Sequence, residues 1–309
     1  MRGDSGELIR EAAADFSAAV AAGRTVRIEG GSVPQHLSML HELVATQPIA
    51  VCKRYASLPD IPWGRFSSLD ALRMLIQRAP DSTPGDIGDL PMRLTEENYI
   101  ALAAPGAMTM LFVFTGAAHQ FGGPLQVIHQ WFRRLGVSVV YLFDIDWTYY
   151  LGGIGGLSAS IEGATDAMKE IARDAGATSL RCLGNSGGGF GAILYAAHLA
   201  ASRTLAFSPP TAIRESLETV TRKVPQAHEL AAGSGAIELR AVYERSRIAG
   251  EYRVYYPEQN EHDRSEALNL AGLPGFDLRP LPDVRNHNLI PHLVSTGQFE
   301  RELNWLVDG

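Results

Sequence analysis

Five short, β-rich apolar runs, separated by stretches of helical periodicity, constrain this chain more than any other feature. They are Met108–Phe114, Val137–Phe143, Ser179–Leu183, Thr204–Phe207 and Tyr252–Tyr256. Runs of this length and composition read as buried parallel strands. Parallel neighbours need a crossover that returns the chain to the same edge, and Pro124–Leu135, Ser158–Ala175 and Gly189–Ala201 have the length and pattern of crossover helices. The fold class is therefore α/β, a mostly parallel central sheet flanked by helices. Ligands of such sheets sit beyond the carboxyl ends of the strands, so the strand-to-helix turns are where chemistry is sought.

The first ninety or so residues follow a different pattern. Ser5–Ala22 sets Leu8, Ala12, Phe16, Ala19 and Val20 at helical spacing before Gly23. Pro34–Gln47 and Ser67–Arg78 repeat that periodicity, with Leu37, Leu40 and Val44 in one and Leu69, Leu72, Leu75 and Ile76 in the other. Ala79–Pro91 then carries three prolines, two glycines and three aspartates, a composition poor in backbone donors and apolar burial. A boundary is expected there, with residues 1–90 forming a mainly helical extension. Those helices offer a surface for a protein partner or for self-association.

Composition narrows the function classes. The 309 residues are 46% hydrophobic and 20% charged, enough for a sizeable core and too apolar for disorder. A formal charge of −7 leaves no basic footprint, so nucleic acid is not expected as a partner. No run approaches the roughly 18 apolar residues of a membrane span, and the charged start MRGDSGELIREAAADF is unlike a signal peptide, so a cytoplasmic location is expected. Cys52 and Cys182 are far apart and lack CxxC spacing, which argues for two buried thiols rather than a disulfide or zinc site.

The strand Ser179–Leu183 runs directly into Gly184-Asn185-Ser186-Gly187-Gly188, and Phe190–Ala201 continues as a helix. This is G-x-S-x-G in a strand-turn-helix context. A serine on so sharp a turn is strained, and side chains at the flanking positions would strike the neighbouring strand or the new helix. A helix start also offers unpaired N–H groups to a forming anion, which makes the Gly187 N–H a natural oxyanion donor. The run lacks the Lys-Ser/Thr of a P-loop and the spacing of a dinucleotide fingerprint.

With this elbow as its most specific match, the sequence from about residue 92 to 309 resembles the α/β-hydrolase superfamily. The resemblance implies a catalytic domain over 91–309 and a chain order of serine, acid, histidine. Of nine histidines, His287 and His292 come late enough. His287, in the polar stretch Arg285-Asn286-His287-Asn288 after the strand-like Asp277–Leu281, suits a strand-end loop; His292 falls within an apolar helical segment. The acid belongs after Tyr252–Tyr256, where Glu258, Glu261 and Asp263 stand. Asp263 is preferred for its shorter side chain, with Glu258 nearer the strand end and Asp283 a poorer choice. Asp263 also precedes the helical run Arg264–Ala271, which gives it a second reading as an N-cap.

The second oxyanion donor is expected after the first long strand, in Phe114-Thr115-Gly116-Ala117, from the Ala117 N–H. Where many relatives show His-Gly, this chain has Thr115-Gly116. His119 in the same loop is a candidate for substrate contact. After Val137–Phe143 comes a loop mixing Trp147, Tyr149 and Tyr150 with four glycines, expected to line the substrate pocket. Asp144 and Asp146 without further ligands make a weak metal site, so no metal and no cofactor are expected. Residues 209–246 are polar and helical in character and read as a small cap. The resemblance implies a serine hydrolase that cleaves a carboxylic ester or related acyl compound through an acyl-Ser186 intermediate, with His287 as base and Asp263 as its orienting acid. Two rivals stand beside it: an acyltransferase using the same residues on a sugar or alcohol hydroxyl, and a non-catalytic hydrolase-like binding module.

Overall fold

The computed structural model describes residues 4–24, 32–59, 61, 63, 67–81, 98–116, 119–214, 217–224, 227, 236–245 and 250–308. Its N-terminal part contains the helices α1 (Asp4–Ala21), α2 (Val33–Thr46), α3 (Ile49–Ala56) and α4 (Ser67–Arg78). Three of these follow the apolar periodicity to within a residue. Ser32 starts α2, its N–H donating to the Gln35 side chain at 2.7 Å, and Pro34 lies in the first turn. The eight-residue α3, launched by Pro48, is too short for periodicity to reveal.

The α/β part opens with β1 (Tyr99–Leu102) and β2 (Thr109–Phe114), then α5 (Leu125–Phe132), β3 (Ser138–Leu142), α6 (Ile161–Asp174), β4 (Ser179–Asn185), α7 (Gly187–Leu199) and β5 (Arg203–Phe207). A short antiparallel pair follows, β6 (Ala212–Ile213) with β7 (Ile237–Glu238); α8 (Leu217–Lys223) lies between its strands and α9 (Leu239–Arg245) after them. The chain ends with β8 (Glu251–Pro257), α10 (Glu261–Leu268), β9 (Phe276–Leu281), α11 (Ile290–Ser295) and α12 (Gln298–Val307). Among the described residues the main sheet has seven strands in the order β1-β3-β2-β4-β5-β8-β9. Every neighbouring pair is parallel except β1 with β3. The sequence reading missed β1, a four-residue edge strand.

Strand parity divides the interior into two layers. Met110, Phe112 and Phe114 of β2 face α6 and α7, whereas Leu111 and Val113 face α5, α11, α12 and the N-terminal helices. Leu75 and Ile76 of α4 belong to the same buried cluster as Val113, Phe121 and Ile128. The expected boundary near residue 90 lies outside the described residues, and the helices before it share a core with one face of the sheet. Both cysteines are buried and free, and burial pushes the Cys52 thiol up to about 12. Among the described residues no helix is long and apolar enough to cross a membrane.

Candidate active site

At the carboxyl end of the central strand β4 the chain turns into α7 through Ser186 alone. Ser186 has φ 55° and ψ −129°, a left-handed conformation that costs an L residue on the order of 1–3 kcal/mol. Two backbone hydrogen bonds hold it: its N–H donates to the Phe207 carbonyl at 2.8 Å, and the Gly189 N–H donates to its carbonyl at 2.7 Å. The flanking glycines are required by contact. A Cβ on Gly188 would lie 2.2 Å from the Phe114 carbonyl oxygen, and one on Gly184 would lie 2.2 Å from the Gly188 carbonyl oxygen.

The structure brings Ser186, His287 and Asp263 together from three separate segments. His287 Nε2 is 2.8 Å from Ser186 Oγ, and His287 Nδ1 is 2.9 and 3.0 Å from the two Asp263 oxygens. Asp263 is 4% exposed while the His287 side chain is 45% exposed, so the carboxylate is shielded and the ring is reachable. Asp263 is not an N-cap. Asn260 caps α10, its side chain accepting from the Asp263 N–H at 3.3 Å, which leaves Asp263 in the first turn with its carboxylate toward His287. Glu258 is exposed just beyond β8, and His292 lies in the last turn of α11; neither joins the group.

Two polar residues that sequence reasoning missed hold this arrangement. Ser208, 1% exposed and at φ 45°, donates from Oγ to the His287 carbonyl at 2.8 Å. Glu266, one turn beyond Asp263, accepts from the Thr211 and Ala212 N–H groups at 2.6 and 3.0 Å, tying α10 to the segment after β5. Nothing local marks either residue, because each acts across the sheet edge.

Gly187 is the first residue of α7, so its N–H has no intrahelical acceptor. The loop after β2 lies against the elbow: a Cβ on Gly116 would stand 2.8 Å from the Asn185 carbonyl oxygen and 3.3 Å from Ser186 Cβ. The Gly116 N–H is already spent on the Gln120 carbonyl at 2.9 Å. Ala117, the expected second donor, lies outside the described residues.

A cavity of about 420 Å³ opens over Ser186, and Trp147, Tyr149, Tyr150 and His119 all border it. Their placements differ. Trp147 is 60% exposed at the rim, and the Tyr149 ring lies beside Gly187 and edge-on to Phe190. His119 sits edge-on to Phe143, at a ring separation of 5.9 Å. Tyr150 is 1% exposed, with its hydroxyl 2.9 Å from both the Thr115 and Leu142 carbonyl oxygens, so it braces the loop after β2 from beneath. Burial pushes this phenol far above its usual range, which keeps it a donor. Asp144 organises the aromatic loop: Oδ1 accepts from the Thr148 N–H at 3.0 Å and Oδ2 from the Tyr150 N–H at 3.3 Å. Trp147, Tyr149 and Tyr150 all have positive φ, which this carboxylate helps to hold. Thr219 and Lys223 of α8 and His262 of α10 also border the cavity. The cap reading pointed to the first two only as a region. Among the described residues no cluster of three or more His, Cys, Asp or Glu side chains could hold a metal ion.

No protein-family model and no curated protein sequence matches the chain. Solved structures do. The chain is similar to a 2,6-dihydroxy-pseudo-oxynicotine hydrolase, with a TM-score of 0.53 and 15% identity over 98% of this chain and 87% of that one. It also matches an S-formylglutathione hydrolase from Agrobacterium tumefaciens, with a TM-score of 0.46 and 13% identity over 68% and 88% of the two chains. The Pyrococcus furiosus esterase Pf2001 gives a TM-score of 0.46 and 14% identity over 74% and 96%. At such identities the likeness is one of architecture: the chain has the α/β-hydrolase fold.

Proposed function

We propose that this chain is a serine hydrolase that cleaves a carboxylic ester or related acyl compound through a covalent acyl-Ser186 intermediate. One observation carries the reading: the continuous hydrogen-bonded path from Ser186 Oγ through His287 to the shielded Asp263 carboxylate. Asp263 faces Nδ1 with both oxygens, which places the ring proton there and turns the Nε2 lone pair toward the serine hydroxyl. As Oγ attacks the acyl carbonyl carbon, Nε2 takes its proton and Asp263 stabilises the resulting imidazolium. The negative charge moves to the carbonyl oxygen, where the N–H groups of Gly187 and Ala117 receive it; one such donor is worth about 10²–10³ in kcat. His287 then returns the proton to the departing alcohol. Water repeats the sequence on the acyl-enzyme and releases the acid.

The strain at Ser186 favours this reading over a non-catalytic module. A binding surface has no use for a serine held at left-handed φ, whereas a nucleophile must be lifted clear of the sheet. The test is intact-mass analysis and peptide mapping after exposure to a fluorophosphonate. A single adduct on Ser186, absent in Ser186→Ala, is expected. A folded protein that gains no adduct would mean that the serine is not activated. Product analysis with water alone and with added hydroxyl acceptors then separates hydrolysis from acyl transfer.

A further inference from the structure

The cavity over Ser186 contains an uneven set of charged groups. The two carboxylates among its described lining residues are committed: Asp263 to His287, and Asp144 to the Thr148 and Tyr150 N–H groups. Among the described residues bordering it, Lys223 is the only lysine or arginine. Among the described residues its ammonium donates one bond, to the Asp146 carbonyl at 2.6 Å, which leaves two of its three N–H donors for a ligand. Asp146 stands between Ile145, 41% exposed, and Trp147, 60% exposed, so the loop that accepts this bond also presents apolar surface. His119, in the loop after β2, and His262, on α10, also border the cavity.

The geometry points to an acyl substrate that carries an anionic group, a carboxylate or a phosphate, held by Lys223, with its apolar body against Trp147. This inference rests on the serine-hydrolase reading and names the substrate class of that site. A ligand that fills the cavity expels the water that would otherwise screen the ammonium, which strengthens a charge-assisted hydrogen bond there.

The experiment compares kcat/KM for charged and neutral esters in the full chain. The charged probes are p-nitrophenyl hemiglutarate, p-nitrophenyl phosphonopropionate and p-acetoxyphenylacetate. They put a carboxylate or a phosphonate on the acyl side, or a carboxylate on the alcohol side. The neutral partners are p-nitrophenyl pentanoate and the methyl ester of p-acetoxyphenylacetate. The wild type is expected to prefer at least one charged probe by about tenfold, mainly through KM. That preference should collapse in Lys223→Met, which keeps the stem, and reverse in Lys223→Glu. The probe with the largest preference identifies the anion and its side. Equal kcat/KM for charged and neutral esters, or a preference that survives both substitutions, would overturn the inference while leaving the serine reading intact. Failure to turn over any ester, together with no fluorophosphonate adduct on Ser186, would overturn both.

Discussion

His287 works through what its two nitrogens and its backbone each touch. Nδ1 faces Asp263, Nε2 faces Ser186, and the main-chain carbonyl is held by Ser208. If the proposed function holds, Asp263→Asn keeps the shape but donates where it should accept, so the ring is held in the wrong tautomer; kcat is expected to fall about a thousandfold or more, measured on any ester the protein turns over. Ser208→Ala removes one hydrogen bond, worth about 1 kcal/mol, from the backbone that aims the ring. We expect kcat to fall roughly three- to tenfold with KM nearly unchanged, the pattern of a positioning residue. Ser186 was legible because its signature is local: glycines around a serine between strand and helix. His287 and Asp263 were reached only through the chain order implied by the resemblance. The sequence preference for Asp263 over Glu258 rests on side-chain length and on the resemblance, neither of which says where α10 begins. Asn260, three residues earlier than the expected cap, sets that start and rotates Asp263 toward the ring. Ser208 and Lys223 left no mark, since each matters only for what the fold brings beside it.

At the level of elements, the elbow depends on how closely α7 approaches β2. Gly188 lies against the Phe114 carbonyl, part of a central strand that cannot retreat without breaking its ladder on both sides. Gly188→Ala is therefore expected to destabilise the fold by about 3 kcal/mol and to lower fluorophosphonate labelling of Ser186, read by urea unfolding and by mass. The aromatic loop is a second such element. Sequence alone read Trp147, Tyr149 and Tyr150 alike as pocket wall, because a loop has no period from which to tell inward from outward. Asp144 fixes the left-handed turns that send the Tyr150 hydroxyl under the loop after β2 and leave Trp147 at the rim. The strands that cross the centre of the sheet were found within a residue or two, since burial on both faces gives them an unbroken apolar signal. The edge strand β1 has half its contacts and no such signal.

For the molecule as a whole, the N-terminal helices belong to the core. Leu75 of α4 is 1% exposed and its methyl group occupies the space a Cβ on Gly123 would need, just ahead of α5. Leu75→Ala is expected to cost about 2–5 kcal/mol and to shift one cooperative unfolding transition, read identically by far-ultraviolet dichroism and intrinsic fluorescence. A separately folding extension would instead show two transitions. The similarity to a solved hydrolase over 98% of this chain fits a single architecture that includes these helices. Their helical character was readable from periodicity, but their partner was not, because the apolar face of a helix does not say what will cover it. That partner includes α11, which follows His287 and packs on α4. The two helices lie more than 200 residues apart in the sequence, α4 at Ser67–Arg78 and α11 at Ile290–Ser295, so their contact closes a long loop and belongs to the non-local part of folding. Because α11 begins just past His287, the closing of that loop and the arrival of the imidazole beside Ser186 are one event.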